Sequence, residues 1–145
     1  MKIAVVKYNA GNTQSLGFAL DRLGYAYEVT DDVSTLKSAD KVIFPGQGEA
    51  SSAMDYLRDR GLDEVLISLQ QPFLGICLGM QLMCRHSEEN DTLGLGIIDA
   101  EVRRFRADMK VPHMGWNTID QCKGQLFNQV KPASYMYFVH SYYVE

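Results

Sequence analysis

The chain has 145 residues, 46% hydrophobic and 22% charged, with 14 Lys and Arg against 18 Asp and Glu for a formal charge of −4. This apolar content excludes disorder, and the acidic balance lacks the basic face of a duplex nucleic-acid binder. No apolar run nears the roughly 18 residues of a membrane span, Lys7 closes the N-terminal run too early for a signal peptide, and Cys77, Cys84 and Cys122 form no Cys-x-x-Cys pair. The expectation is one cytoplasmic domain over residues 1–145, in a reducing compartment, without nucleic acid or membrane as partner.

Lys2–Val6 is a short apolar run without helical period and reads as a buried strand. Asn12 precedes a stripe at Leu16, Ala19, Leu20 and Leu23; Asn12 can cap that helix and Gly24 can close it in the left-handed conformation. Tyr25–Val29 and Lys41–Phe44 read as further strands, the latter ended by Pro45. Helical spacing returns at Ala50, Ala53, Met54 and Leu57, breaks at Gly61, and resumes at Leu62, Val65, Leu66 and Leu69 until Pro72. Phe73–Ile76 is another buried strand, running into Cys77 and a helical segment Leu78–Cys84. Alternating buried strands and helices predict an α/β fold, a mainly parallel sheet with helices on both faces. From Ile97 the texture changes: Val102, Phe105, Trp116–Ile119 and Tyr135–Val144 read as strands of an antiparallel extension. The chain stops at Tyr142-Tyr143-Val144-Glu145, inside a strand pattern, and reads as interrupted.

Gly75-Ile76-Cys77-Leu78-Gly79 joins a predicted strand to a predicted helix in the Gly-x-nucleophile-x-Gly layout of an elbow, with cysteine as nucleophile. The helix start at Leu78 would offer a positive dipole end to a thiolate and a backbone N–H to an oxyanion. A buried structural cysteine in a tight turn is the alternative. Pro45-Gly46-Gln47-Gly48-Glu49 is a glycine-rich turn after a strand, without the third glycine of a dinucleotide fingerprint; neighbouring strands would set it beside Cys77. His86 is expected past a helix end and in solvent, and His113 and His140 as structural or interfacial residues. The spacing of the three fits no metal set. Glu88-Glu89-Asn90-Asp91 reads as a solvated loop.

Four segments in this order, Pro45-Gly46-Gln47-Gly48, Gly75-Ile76-Cys77-Leu78-Gly79-Met80-Gln81, Val111-Pro112-His113-Met114-Gly115-Trp116-Asn117 and Tyr137-Phe138-Val139-His140-Ser141-Tyr142, resemble class I, triad-type glutamine amidotransferases. Within that class they resemble the glutaminase subunits of imidazole glycerol phosphate synthases. The resemblance implies a flavodoxin-like amidotransferase fold with no cofactor, and glutamine as substrate. Cys77 would be the nucleophile, with backbone N–H groups at Gln47 and Leu78 as oxyanion donors. Gly48, Gln81, Glu89, Tyr137, Ser141 and Tyr142 would contact glutamine. The implied partner is a (β/α)8-barrel cyclase in a heterodimer, which receives ammonia through a channel and converts PRFAR to imidazole glycerol phosphate and AICAR in histidine biosynthesis. Asn12, Met114 and Trp116 are the interface candidates.

Two departures stand out. Tyr8-Asn9-Ala10-Gly11-Asn12 replaces the family's Tyr-Gly-x-Gly-Asn, and no His-Pro-Glu segment, the family's source of the catalytic base and its orienting carboxylate, occurs in the 145 residues. The expectation is therefore a C-terminally truncated domain, inactive as given. A non-catalytic cyclase-binding module and a glutaminase subunit of another class I amidotransferase remain the alternatives.

Overall fold

A computed structural model describes residues 1–106 and 108–145 of the chain. It forms two compact units, one of residues 1–103 with 144–145 and one of residues 104–143.

In the first unit, β1 (Ile3–Val6), β2 (Tyr27–Thr30), β3 (Lys41–Phe44) and β4 (Phe73–Gly75) form a parallel sheet of order β2-β1-β3-β4. β1 is buried throughout because both of its faces are covered. Ile3 and Val5 pack with Ile43 against Leu20 of α1 (Thr13–Arg22). Ala4 and Val6 point to the other face, where α2 (Val33–Ser38), α3 (Ala50–Asp59), α4 (Leu62–Ile67) and α5 (Leu78–Leu82) contribute Leu36, Met54, Leu57, Leu62, Leu66 and Leu82. Each such fully buried side chain contributes about 1.5–3 kcal/mol, and these contacts hold the strand ends in place. The Asn12 Oδ1 cap on Ser15 N–H at 3.0 Å and left-handed Gly24 occur as the sequence predicts, and the expected break at Gly61 is a left-handed residue between α3 and α4.

The sequence pattern is misleading after α5. The expected helix to Cys84 ends at Leu82, and β5 (Cys84–Ser87) runs parallel to β7 (Ile98–Arg104) and antiparallel to β6 (Thr92–Leu93) in a second sheet. Cys84 and Ser87 are buried there while Arg85 is exposed. The chain returns to this unit at its end, where Glu145 N–H donates to the Glu101 carbonyl at 2.8 Å.

The second unit is built on an antiparallel hairpin of β8 (His113–Ile119) and β9 (Ser134–His140), in register from His113 opposite His140 to Ile119 opposite Ser134. Alternation gives the hairpin two faces. Met114/Val139, Trp116/Tyr137 and Thr118/Tyr135 share one, with Trp116 67% exposed and edge-on to Tyr137 at 5.5 Å between ring centroids. On the other, Phe105 packs against His140 at 5.0 Å and Tyr143 at 5.1 Å, and His113 meets His140 at 5.4 Å. The expected strand Tyr135–Val144 is broken at Ser141, whose carbonyl accepts from Phe105 N–H at 3.1 Å, and β10 (Tyr142–Val144) follows. Among the described residues no helix is long and apolar enough to cross a membrane.

Candidate active site

Three neighbouring strands of the parallel sheet end together and deliver the first unit's candidate residues. Phe44 pairs with Gly75, and Ile76 N–H donates to the Phe44 carbonyl at 3.0 Å, so the loop after β3 and the turn after β4 leave the sheet side by side. Cys77 sits on that turn with φ 51 and ψ −117, outside the comfortable regions for a residue with a side chain. Its side chain is exposed, whereas Leu78 and Gly79 after it are buried.

Close backbone approach explains the glycines. A Cβ on Gly79 would lie 2.0 Å from the Phe44 carbonyl oxygen, and one on Gly46 would lie 2.1 Å from Gly79 N. A Cβ on Gly75 would meet the Met80 Cα at 2.5 Å. Only with hydrogens at these positions can the Pro45–Gly48 loop rest on the elbow. The Gly79 and Gln81 N–H groups bond back to the Ile76 and Cys77 carbonyls, each at 3.0 Å. The Leu78 N–H stands at the head of α5, before the intrahelical ladder begins.

Two contacts pin the facing loop to the end of β1. The buried Tyr8 hydroxyl donates to the Pro45 carbonyl at 2.6 Å, and Gly11 N–H donates to the Gln47 carbonyl at 2.9 Å. In a planar trans peptide N–H and C=O oppose each other, so the Gly46 and Gly48 N–H groups point away from those donors. Burial, reinforced by the charge of a Cys77 thiolate, pushes the Tyr8 phenol well above its ordinary pKa and keeps the hydroxyl a donor.

Gly48 leads into Glu49, which caps α3 by accepting from Ser51 N–H at 2.8 Å and Ser52 N–H at 2.9 Å. The region read as a solvated loop is a 3-10 turn, Glu89–Asp91, folded back onto this helix: Glu89 Oε2 accepts from Ala50 N–H at 2.9 Å. Burial raises the Glu89 pKa, the Ala50 hydrogen bond opposes the rise, and the Glu49 charge adds to it. The hydrogen bonds on Glu49, that from Ser51 foremost, draw its pKa down to about 2.

His86 departs from expectation. It lies on β5 rather than beyond a helix, with Nε2 2.7 Å from Asp91 Oδ1 and Nδ1 3.2 Å from Glu101 Oε2. Both ring nitrogens of the first unit's one imidazole are thus engaged by carboxylates.

The first unit therefore contains Cys77, Gln47, Leu78, Gly48, Gln81 and Glu89: the Pro45–Gly48 loop packs on the Cys77 elbow, Glu89 bonds to Ala50 two residues after Gly48, and Asn12 caps α1. Tyr137, Ser141, Tyr142, Met114 and Trp116 belong to the second unit. There Tyr137 stands on the Met114 and Trp116 face, and Tyr142 O accepts from His140 Nδ1 at 2.7 Å. Met114 and Trp116 are exposed rather than packed in a local core. No local pattern marks the Tyr8–Pro45 bond or the Asn90–Glu49 bond, which join residues 37 and 41 apart.

This architecture is that of an amidotransferase: a crystal structure titled as a glutamine amidotransferase superposes with a TM-score of 0.71 over 97% of this chain and 71% of that one, at 18% identity, a likeness of fold. The sequence matches the family described as glutamine amidotransferase class-I over residues 4–145, and the chain belongs to that family. It is 55% identical over 147 residues to a protein of Bacteroides thetaiotaomicron named imidazole glycerol phosphate synthase subunit HisH, covering 99% of this chain and 75% of the relative. Proteins of the same name from Pasteurella multocida (45% identical, 97% of this chain, 72% of theirs) and Vibrio cholerae (42%, 97% and 73%) are similarly related.

Proposed function

We propose that this chain is the glutaminase component of an imidazole glycerol phosphate synthase, acting in the cytoplasm with a barrel cyclase. The observation that carries the reading is Cys77 on a strained strand-to-helix turn, with a glycine-rich loop pressed against it through Gly46 and Gly79. The Cys77 thiolate attacks the side-chain amide carbon of glutamine. The carbon–nitrogen bond then breaks, the nitrogen leaves as ammonia after taking up a proton, and water hydrolyses the thioester to glutamate and free thiol. Backbone N–H groups at Leu78 and in the Gln47 loop stabilise the tetrahedral oxyanion, each donor of this kind contributing about 10²–10³-fold in rate. Glu89 accepts the substrate ammonium beside Gly48. Gln81, Tyr137, Ser141 and Tyr142 complete the glutamine contacts by their motif positions, and Asn12, Met114 and Trp116 face the cyclase.

The general base lies outside this set. His86 is held between Asp91 and Glu101 on β5, and residues 1–145 contain no His-Pro-Glu. A polypeptide of these residues alone is therefore expected to show no appreciable turnover, since loss of a positioned base costs at least ~10²–10⁴-fold. The test is glutamate release by the complete protein with the cyclase and a ligand of its barrel. Cys77→Ala should abolish release. Recovery of a different synthase subunit as the binding partner would favour another class I amidotransferase.

A further inference from the structure

Three consecutive side chains anchor the Glu89–Asp91 turn, each to a different group. Glu89 bonds to Ala50 N–H at 2.9 Å, Asn90 Nδ2 donates to Glu49 Oε1 at 2.7 Å, and Asp91 reaches His86 at 2.7 Å. Asn90 adopts φ 52 and ψ 34, and Asp91 φ 49, so successive side chains diverge from one backbone point. Asparagine and aspartate tolerate this left-handed conformation better than most residues.

The two ends of the Asn90–Glu49 bond differ in freedom. Oε1 of Glu49 also accepts from Ser51 N–H at 2.8 Å and Ser51 Oγ at 2.6 Å, and Oε2 accepts from Ser52 N–H at 2.9 Å. The Glu49 carboxylate is thus fixed by α3, one residue after Gly48. Asn90 is exposed and lies on a short turn, so its position follows from this bond to a charged acceptor. Glu89, next to it, faces the same helix start as Glu49, and the two carboxylates repel each other. The Glu89 backbone is also held, its N–H donating to Ser87 Oγ at 3.2 Å and its carbonyl accepting from Thr92 Oγ1 at 2.6 Å, so loss of the Asn90 amide would act on the Glu89 side chain, letting the carboxylate swing away from Glu49, and from Gly48 with it.

We propose that Glu49 and Asn90 are positioning residues for glutamine: the Asn90 amide, held on the Glu49 carboxylate, keeps Glu89 beside Gly48, where it accepts the substrate's α-ammonium. Neither residue touches the substrate; both act through Glu89. The proposal rests on the glutamine reading of this site, and its test separates the two.

Titration calorimetry of L-glutamine into the complete protein, with thermal unfolding in parallel, compares Glu89→Gln, Asn90→Gly and Asn90→Asp. Asn90→Gly keeps the left-handed backbone and deletes only the amide; glutamine Kd should rise about tenfold. In the partnered enzyme KM should rise with it, while kcat stays within about twofold. Asn90→Asp sets a further carboxylate against Glu49 and should weaken binding more. Asn90→Gly should leave Tm within a few degrees of wild type while its Kd rises, which a general destabilisation would not do. Wild-type affinity in Asn90→Gly, or a loss of affinity matched by a collapse in Tm, overturns the positioning role. If Glu89→Gln binds glutamine normally as well, the reading of Glu89 itself fails and the proposal falls with it. If Glu89→Gln alone is impaired, only the tether is refuted.

Discussion

Replacing Gly79 with alanine sets a favourable local effect against an unfavourable tertiary one. In the short helix α5, alanine is preferred over glycine by about 1 kcal/mol. The added Cβ would nevertheless lie 2.0 Å from the Phe44 carbonyl oxygen, 2.8 Å from its carbon and 2.9 Å from the Pro45 carbonyl oxygen. All three are backbone atoms, so no flexible side-chain end can yield. Restoring van der Waals distance requires the end of β3 and the elbow to separate by about 1 Å. Overpacking of this kind costs about 1–3 kcal/mol, which offsets or exceeds the helix gain, and each net kcal/mol lowers Tm by about 2–4 °C in a domain of this size. The larger consequence is chemical. A 1 Å misplacement of reacting groups can cost about 10²-fold in rate, and here it moves the Pro45–Gly48 loop, the proposed source of an oxyanion donor, away from Cys77. The assay compares two electrophiles on Gly79→Ala: a diazoketone analogue of glutamine, which needs the assembled site, and iodoacetamide, which needs only an exposed thiol. Modification by the analogue should fall about 100-fold while iodoacetamide still reacts. Unchanged rates with both reagents and an unchanged Tm would refute the close-packed elbow.

Other perturbations probe separate parts of the site. Tyr8→Phe removes the donor from a buried carbonyl and should cost about 1–3 kcal/mol, read as a Tm lowered by several degrees; an unchanged Tm would mean that the phenol does not pin the loop. Glu89 has a raised pKa in the folded state, so the fold binds more protons than the unfolded chain just above the ordinary carboxylate range, and stability should rise as pH falls through that window. Glu89→Gln should flatten that rise in a series of unfolding curves, and an identical pH profile would contradict the assignment. Glu49, drawn down to about 2, has the opposite sign: its contribution is present above the ordinary carboxylate value and is lost toward pH 2. Trp116→Ala should weaken binding to the cyclase about 30-fold, the loss of an aromatic anchor, while leaving Tm unchanged because Trp116 is 67% exposed; normal cyclase affinity would remove this face from the interface.

Local chemistry was legible and long-range chemistry was not. The apolar runs of β1 and β3, the Gly61 break between α3 and α4, and the Gly-Ile-Cys-Leu-Gly elbow carry their own signals within a few residues. α2 carries no helical stripe, because Leu36 is its one fully buried residue. β5 carries no strand signal because Cys84-Arg85-His86-Ser87 has no apolar alternation; its buried residues are a cysteine and a serine. Without that signal His86 reads as a solvent residue, whereas the strand holds it between Asp91 and Glu101. Tyr8 and the Glu49–Asn90 pair act across the fold, through bonds between residues 37 and 41 apart, and no local pattern marks them.

The most direct measurement maps the thiols modified by the glutamine analogue on the intact protein, with and without excess L-glutamine. Modification should fall on Cys77 ahead of Cys84 and Cys122, and L-glutamine should slow it at Cys77. Equal modification of the three cysteines, or a Cys77 rate that L-glutamine does not change, would contradict a glutaminase nucleophile at this elbow.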